Sequence, residues 1–366
     1  MLYYLLYSLK DYFFAFNVFR YITFRSACAA VTALVLTIFL GPWMIRKLYG
    51  MKIGQTVRKE ECLPLYALHH GKSGTPTMGG ALILLAIVLS SLLWSDLANH
   101  WIWITLGSIV FLGLLGGWDD YLKLKHKSAK GYRARNKFLI EVAFAVLLWI
   151  FLLIKKNAGD FSFAIQFPLF KDLAFESGAV FFLIWTVSVF VGTSNAVNLT
   201  DGLDGLAAGC VTIAALTLSI FCYVIGNAKF ALYLHCQHIV GSGELTIVCA
   251  AMVGAGLGFL WYNAYPAQVF MGDIGSLALG GGLGVISLIL KQEITLLLIG
   301  GIFVMEALSV IMQVASFKLT GKRIFRVAPI HHHFEIKGWS ETKVTIRFWI
   351  LGVIFALLSL ATLKVR

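Results

Sequence analysis

The segment WIWITLGSIVFLGLLGGWDDYLKLKHK, residues 101–127, contains the two patterns that decide the fold. Its first part, through Trp118, carries no charged side chain and has about the length that an α-helix needs to cross a bilayer. Two adjacent carboxylates, Asp119 and Asp120, and a lysine-rich stretch follow directly. The segment therefore predicts a membrane-spanning helix that ends on acidic residues beside a basic loop.

The whole chain has the composition of an integral membrane protein. Hydrophobic residues make up 59% of its 366 positions and charged residues only 13%, whereas about a quarter of the residues in soluble domains are charged. Long apolar runs without strict alternation indicate helices, because lipid leaves no backbone polar group unpaired. We predict an all-α polytopic membrane protein that forms one domain over residues 1–366, with about ten transmembrane helices. The predicted spans are 21–45, 76–95, 101–118, 137–155, 178–195, 203–225, 244–262, 274–290, 294–316 and 345–363.

The charge distribution predicts the orientation of the chain in the membrane. Residues 1–20 are rich in Tyr and Phe and indicate an interfacial helix rather than a signal peptide. The loops 46–75, 119–137 and 317–344 hold 19 of the 30 Lys and Arg residues, and the positive-inside rule places them in the cytosol. The net charge of +12 is thus mainly a topology signal, and no basic–aromatic pattern favours a nucleic-acid partner.

Five aspartates fall at predicted span ends on that same side of the membrane. Carboxylates at membrane depth are costly and usually functional. In NAVNLTDGLDGLAAG, 195–209, the side chains of Asn198, Asp201 and Asp204 recur every three residues and would share one face of a helical turn. The alternative is that Asp201 caps a helix beginning at Gly202 and that the other acid is solvated. The five aspartates are Asp119, Asp120, Asp201, Asp204 and Asp273.

A second acidic motif, YNAYPAQVFMGDIGSLALGG, spans residues 262–281. It places Asn263 before a proline-containing linker and Asp273 at the start of a glycine-rich span. Asp273 alone could be an N-cap. Together with the other aspartates it favours a ligand of Mg²⁺, since that ion is commonly bound by one or two carboxylates and by substrate phosphates.

Two further motifs contain groups that could bind anions. HHGKSGTPTMGG, 69–80, lacks a Walker pattern because Tyr66 stands where glycine is required, so Lys72 lies either in a linker or at a phosphate. FRVAPIHHHFEIKGW, 325–339, contains His331, His332 and His333. Consecutive histidines point in different directions and make a poor zinc site. They could bind hydroxyls or phosphate, or they could pack against Phe334 in a turn that Pro329 holds.

These motifs resemble those of the bacterial phospho-N-acetylmuramoyl-pentapeptide transferases, within the polyprenyl-phosphate N-acetylhexosamine-1-phosphate transferase superfamily. The resemblance implies a reaction in which UDP-N-acetylmuramoyl-pentapeptide gives its phospho-sugar to undecaprenyl phosphate. The products are UMP and the first lipid-linked peptidoglycan precursor, and Mg²⁺ is required. The resemblance also implies ten transmembrane helices, a cytosol-facing cleft in the bacterial inner membrane, and a homodimer. It is carried by GKSGTPTMGG, GGWDDYLK, NAVNLTDGLDGLAAG, YNAYPAQVFMGDIGSLALGG and APIHHHFE, between residues 71 and 335.

The resemblance assigns catalytic roles to the matched aspartates. Asp273 would bind Mg²⁺. Asp119 or Asp120 would deprotonate or orient the lipid phosphate, or act as the nucleophile. Direct attack and a covalent phospho-enzyme both stay open.

The resemblance also implies a set of substrate-binding residues. Phe270 would stack on uracil and Gln313 would hydrogen-bond it; core packing and a helix–helix hydrogen bond are the alternatives. The nucleotide and diphosphate would be lined by Asn198, Asp201 and Asp204, with Asn263 beside them. Phosphate groups would be bound by Lys72, Lys123 and Lys137, and the donor sugar by His331, His332 and His333.

Two other functions compete with this one. A sister transferase would use UDP-N-acetylglucosamine as donor, against which APIHHHFE argues. A transporter would also carry intramembrane acids. Its acids should lie near mid-span and its halves should show an inverted repeat, and neither pattern is visible here.

Overall fold

The computed structural model describes residues 2–51, 74–125, 131–170 and 174–365. Its helices are α1 Leu2–Ser8, α2 Ile22–Gly50, α3 Gly80–Trp94, α4 His100–Lys125, α5 Ala134–Asn157, α6 Ala179–Thr200, α7 Leu206–Gly226, α8 Ala228–Tyr233, α9 Leu245–Asn263, α10 Gly272–Leu290, α11 Glu293–Ile299, α12 Gly301–Thr320, α13 Ile330–Ile336 and α14 Glu341–Val365. Short 3₁₀ turns cover Leu9–Asp11, Phe14–Arg20 and Ser242–Glu244. One antiparallel strand pair joins β1 Ala164–Gln166 to β2 Ala174–Glu176. The prediction of an all-α polytopic membrane protein is confirmed.

Within the described ranges, nine helices are long and apolar enough to cross a membrane. The predicted span 76–95 is shorter than expected: α3 has 15 residues, because the chain stays non-helical through Pro76 and Met78, where φ is +72°. The predicted span 294–316 is interrupted at Gly300, which has φ −92° and ψ 25° and separates α11 from α12. Glycine leaves the helical conformation at little cost.

Helix α10 is the centre of the bundle. In its apolar 18-residue window, 89% of the positions are buried, and it packs against α4 and α6. Small residues allow this, as in other membrane helix pairs. A Cβ built on Gly116 of α4 would lie 2.2 Å from the backbone carbonyl oxygen of Asp273. The two helices therefore meet backbone to backbone at the point where their acidic residues lie.

Helix α4 continues past the predicted end at Trp118. It runs to Lys125, so Asp119, Asp120 and Lys123 stand on its last two turns rather than in a loop. The lysine side chain at i+3 and i+4 from two carboxylates favours this extension. Helix geometry thus fixes the relative positions of the three charged groups.

The connection between α6 and α7 differs from the capping alternative. Helix α6 ends at Thr200 with Asp201 as its C-cap, and α7 begins only at Leu206, after Gly205 with φ +73°. The proposal that Asp201 caps a helix starting at Gly202 is therefore wrong. Asn198 lies in the last turn of α6, whereas Asp201 and Asp204 lie in the short connection that we call the 201–205 loop.

The close contact at Gly116 yields a stability prediction. Gly116→Ala places a methyl group against a backbone that cannot move aside, and overpacking of this kind typically costs about 1–3 kcal/mol. We expect the melting temperature of the purified protein to fall by several degrees. Gly107→Ala is the matched control on the same helix, because no atom lies within 4 Å of a Cβ built there. Equal melting temperatures for both variants would contradict the close packing.

Candidate active site

Three carboxylates converge where α4 meets the first turn of α10. Asp119 and Asp120 are contributed by α4 and Asp273 by α10, and one oxygen of each lies within 4.8 Å of the others. Both α4 aspartates are buried. The structure therefore brings together the three aspartates to which the family resemblance assigns catalytic roles.

Two lysines hold these carboxylates together. The Nζ of Lys123 lies 2.8 Å from Asp119 Oδ2 and 3.1 Å from Asp273 Oδ2. The Nζ of Lys137, on α5, lies 2.7 Å from Asp273 Oδ2 and 3.6 Å from Asp119 Oδ2. Three like charges so close repel one another strongly away from water. The two ammonium groups offset most of that repulsion.

Backbone N–H groups add to the charge balance. Tyr132 N donates to Asp119 Oδ1 over 2.5 Å, and Ile274 N donates to Asp120 Oδ2 over 3.3 Å. The second donor belongs to the N-terminal turn of α10, where the helix dipole favours anions. Gly272, just before, has φ +72°, and a Cβ there would lie 2.6 Å from Asp120 Oδ2. Glycine is therefore required at this position by both conformation and space.

The oxygen atoms of this cluster suit a hard divalent cation. Carboxylate oxygens are the preferred protein ligands of Mg²⁺ and Ca²⁺, and in this structure two lysine ammonium groups supply the positive charge. Among the described residues this is the one group of His, Cys, Asp or Glu side chains close enough to hold a metal. A metal site at this cluster is thus compatible with the donor set.

The 201–205 loop reaches the same cluster. The Asp201 carboxyl group lies near the backbone N–H of Gly272, directly before Asp273, and this N–H opposes the rise in the pKa of Asp201. Asn198 Oδ1 accepts a hydrogen bond from Ser276 Oγ over 2.8 Å. Both predicted pocket residues therefore contact the first turns of α10.

Asp204 and Asn263 have a different environment. Both are 3% exposed. Asp204 Oδ2 accepts from Ala267 N over 3.0 Å, while Asn263 accepts from Gly205 N over 3.1 Å and donates to the Val269 carbonyl over 2.8 Å. These side chains tie the 201–205 loop to the linker between α9 and α10. They position the site, and direct substrate contact by them stays a prediction.

Phe270 and Gln313 also make contacts to the backbone of neighbouring segments. The half-buried Phe270 donates its N–H to the Pro76 carbonyl over 2.8 Å and accepts from Gly79 N over 2.9 Å. The Gln313 amide donates to the Phe325 carbonyl over 3.0 Å and accepts from Ile324 N and Phe325 N. The helix–helix alternative for Gln313 is wrong, because its side chain holds the 321–329 loop. Contacts of Phe270 and Gln313 with uracil stay predictions.

The three histidines of α13 have three different environments. His331 is buried beside Glu306, with Nδ1 and Oε1 3.1 Å apart. His332 Nδ1 lies 2.7 Å from Glu335 Oε2. His333 Nδ1 accepts from Arg326 N over 3.1 Å, and its ring lies against Phe325 and Phe334. They do not converge on one point. Lys72 lies outside the described residues.

Two buried acids near the site were missed by sequence reasoning. Glu141 of α5 is 1% exposed and accepts from Asn195 Nδ2 over 2.6 Å. It stands one helical turn after Lys137, a spacing that could have identified it. Glu306 is fully buried and interrupts an apolar run, which is itself a signal of function in a membrane helix.

Comparisons with known proteins agree with this geometry. The family model "Glycosyl transferase family 4" matches residues 102–291, which include all three clustered aspartates and both lysines. The fold and the site thus define a membrane-embedded member of that transferase class.

A family signature and three full-length relatives identify the family within this class. The "Phospho-N-acetylmuramoyl-pentapeptide-transferase signature 1" matches residues 72–84. Proteins named phospho-N-acetylmuramoyl-pentapeptide-transferase are 53% identical in Desulfatibacillum aliphaticivorans, 53% in Citrifermentans bemidjiense and 52% in Geobacter sp. strain M21. Each alignment covers 100% of this chain and of the relative. The chain belongs to the phospho-N-acetylmuramoyl-pentapeptide-transferase family.

The position of Asp201 makes the stability of the protein depend on pH. Removal of the carboxyl group from water, aided by the negative charges of Asp273 and Asp120, raises the pKa of Asp201 to about 7. In the unfolded chain an aspartate loses its proton near pH 4. Between these values the unfolded chain is ionised while the folded one keeps its proton, so Asp201 destabilises the fold progressively as pH rises.

We expect Asp201→Asn to remove this effect. Melting temperatures of both proteins, measured in detergent without divalent cations from pH 4 to pH 8, provide the comparison. The melting temperature of the variant minus that of the parent should increase between pH 4 and pH 7 and stay constant above pH 7. A difference independent of pH would show that the pKa of Asp201 is not raised.

Proposed function

We propose that this enzyme transfers phospho-N-acetylmuramoyl-pentapeptide from UDP-N-acetylmuramoyl-pentapeptide to undecaprenyl phosphate, releasing UMP and depending on Mg²⁺. The observation that carries the proposal is the cluster of three carboxylates and two lysines at the ends of α4 and α10. Family membership and the printed names of the relatives support the muramoyl donor. A soluble donor and a lipid acceptor require a site at the membrane surface, and the aspartates lie at helix ends.

The reaction brings anions together. An oxygen of undecaprenyl phosphate attacks the phosphorus atom that carries the sugar, and the bond from that atom to the oxygen of UMP breaks. Catalysis of phosphoryl transfer consists mainly of positioning and electrostatic stabilisation. In this proposal Lys123 and Lys137 exchange their aspartate partners for phosphate oxygens, which offsets the charge of both substrates.

The carboxylates have separate tasks in this scheme. Asp273 would hold Mg²⁺ with the help of Asp119 and Asp120, and the bound ion would supply charge neutralisation and orientation of phosphate oxygens. Asp119 or Asp120 accepts the proton of the acceptor phosphate or orients it. A covalent phospho-aspartate is the alternative route, and trapping of a ³²P-labelled enzyme would distinguish it from direct attack.

The donor pocket lies beside this cluster in our proposal. Asn198, Asp201 and Asp204 line the uridine and diphosphate, Asn263 supports them, and Lys72 binds phosphate. Phe270 stacks on uracil. Gln313 forms a hydrogen bond to uracil after giving up part of its hydrogen bonds to the 321–329 loop. His331, His332 and His333 act at the sugar end. The rival donor, UDP-N-acetylglucosamine, is tested directly by comparing UMP release from the two nucleotides.

The remaining features concern location and assembly. We propose a multi-pass protein of the bacterial inner membrane as a single domain, with residues 1–20 in the interface and the acidic cluster facing the cytosol. The basic loops support this orientation. A homodimer is part of the proposal on the strength of the family resemblance, and the mass of the protein in native nanodiscs would test it.

One prediction of the proposed function concerns the three clustered aspartates. We expect Asp119→Asn, Asp120→Asn and Asp273→Asn each to lower UMP release by about two to four orders of magnitude, since such losses are typical when a group acting in the transition state is removed. Asp160→Asn is the control, because that exposed carboxylate pairs with Lys155 away from the site. Retention of most activity and of Mg²⁺ dependence by Asp273→Asn would refute the metal assignment.

Another prediction concerns the orientation of the protein in the membrane. In a background without native cysteines, Lys125→Cys should be protected from an impermeant thiol reagent in intact cells and should react after permeabilisation. Val240→Cys is the counterpart on the opposite side, where Val240 is 77% exposed, and it should react in intact cells. Labelling of position 125 from outside would overturn the cytosolic placement of the site.

A further inference from the structure

Glu306, which lies beside His331, has no role in the mechanism above. Glu306 Oε1 and His331 Nδ1 lie 3.1 Å apart, and the two side chains are 0% and 1% exposed. Helix α12, which carries Glu306, is otherwise mostly uncovered, with 22% of its apolar window buried. A carboxylate in such a helix is costly unless a partner holds it. The imidazole of His331 is the ionisable group that the structure places beside this carboxylate.

The opposite edge of the His331 ring contacts the 201–205 loop. A Cβ built on Gly202 would lie 2.2 Å from His331 Nε2, so the ring tip rests on the backbone of that glycine. Gly202 follows Asp201, whose carboxyl group lies near the backbone N–H of Gly272. A continuous series of contacts thus runs from Glu306 through His331 and the loop to the residue before Asp273.

The Nε2 atom of His331 is an unsatisfied polar group. It is buried and has no hydrogen-bond partner within the described part of the chain, and the same holds for Nδ1 of this ring and for both carboxylate oxygens of Glu306. Buried polar atoms are normally paired, and an exception calls for an explanation such as a ligand. His332 and His333 differ, because Glu335 and the backbone of Arg326 contact them from within their own segment.

We propose that Glu306 is a positioning residue for the donor pocket. Its Oε1 atom lies 3.1 Å from Nδ1 of His331 without forming a hydrogen bond, and in our proposal this approach favours the ring orientation that places Nε2 against the 201–205 loop. Of the three histidines, His331 is the one that acts on the donor, with Nε2, beside the 201–205 loop, as the atom that the bound donor engages. The inference rests on the proposed function and goes beyond it by assigning a task to Glu306.

A double-mutant cycle tests this assignment. Glu306→Leu, His331→Ala and the double variant are compared with the parent for kcat, for the KM of UDP-N-acetylmuramoyl-pentapeptide and for the KM of undecaprenyl phosphate. Each single change should lower kcat/KM for the donor by about tenfold or more. The double variant should match His331→Ala to within about twofold, because residues that act as a unit are not additive. The KM for undecaprenyl phosphate should stay within about twofold of the parent value.

A second buried pair provides the matched control. Arg25 Nη2 lies 2.5 Å from Glu244 Oε1, with side-chain exposures of 3% and 11%, and Glu244 precedes α9, at the end opposite to the site. Glu244→Leu should lower the melting temperature while leaving the KM for the donor unchanged. Comparison of Glu244→Leu with Glu306→Leu therefore distinguishes the loss of any buried ion pair from the loss of a residue that positions His331.

The outcomes are distinguishable. Glu306→Gln replaces Glu306→Leu in the cycle if the leucine variant does not accumulate, since it keeps the shape of the side chain. The inference would be overturned, while the proposed function stands, if the losses of kcat/KM in Glu306→Leu and His331→Ala multiply in the double variant. It would also be overturned if Glu244→Leu changes the KM for the donor as much as Glu306→Leu does. If the decreases in melting temperature of Glu306→Leu and His331→Ala add up in the double variant, the inference is overturned for either donor nucleotide. A parent enzyme that releases no UMP would refute the proposed function and the donor role of His331 together.

Discussion

Three carboxylates must lie a few ångströms apart at the edge of a membrane, and the rest of the structure depends on meeting that constraint. Their mutual repulsion would separate α4 from α10 if nothing opposed it. The backbone contact at Gly116 brings the helices together, and the ammonium groups of Lys123 and Lys137 offset the charge. Packing and electrostatics thus act on the same pair of helix ends.

The same arrangement explains the environment of the cluster. Because α10 is the most buried helix of the bundle, its first turn is held from several sides by the 201–205 loop, the α9–α10 linker and the end of α4. Asp204 and Asn263 use their side chains to fasten these segments to one another. Several segments therefore hold the three aspartates in place, while in the proposed mechanism the two lysines exchange their aspartate partners for phosphate oxygens.

The sequence predicted those parts of the structure that follow from local patterns. Apolar run length identified the membrane helices, and the acids at their ends identified Asp119, Asp120 and Asp273, because a charge at the end of a lipid-spanning run is conspicuous. The sequence could not show that α4 continues to Lys125, since the polar residues after Trp118 are equally compatible with a helix and with a loop. It left open the alternative that Asp201 caps a helix beginning at Gly202, because the choice between Gly202 and Leu206 as the helix start depends on tertiary contacts around Asp201. It also missed Glu141 and Glu306, whose partners Asn195 and His331 are distant in the chain.

The central claim is that the cluster of Asp119, Asp120 and Asp273 is a divalent-cation site. Anomalous diffraction from crystals of the protein soaked in Mn²⁺, a stand-in for Mg²⁺, tests it most directly. The account predicts an anomalous peak among these three carboxylates that disappears in Asp273→Asn crystals soaked in the same way. A peak elsewhere with none at the cluster, or a peak that survives in Asp273→Asn, would contradict it.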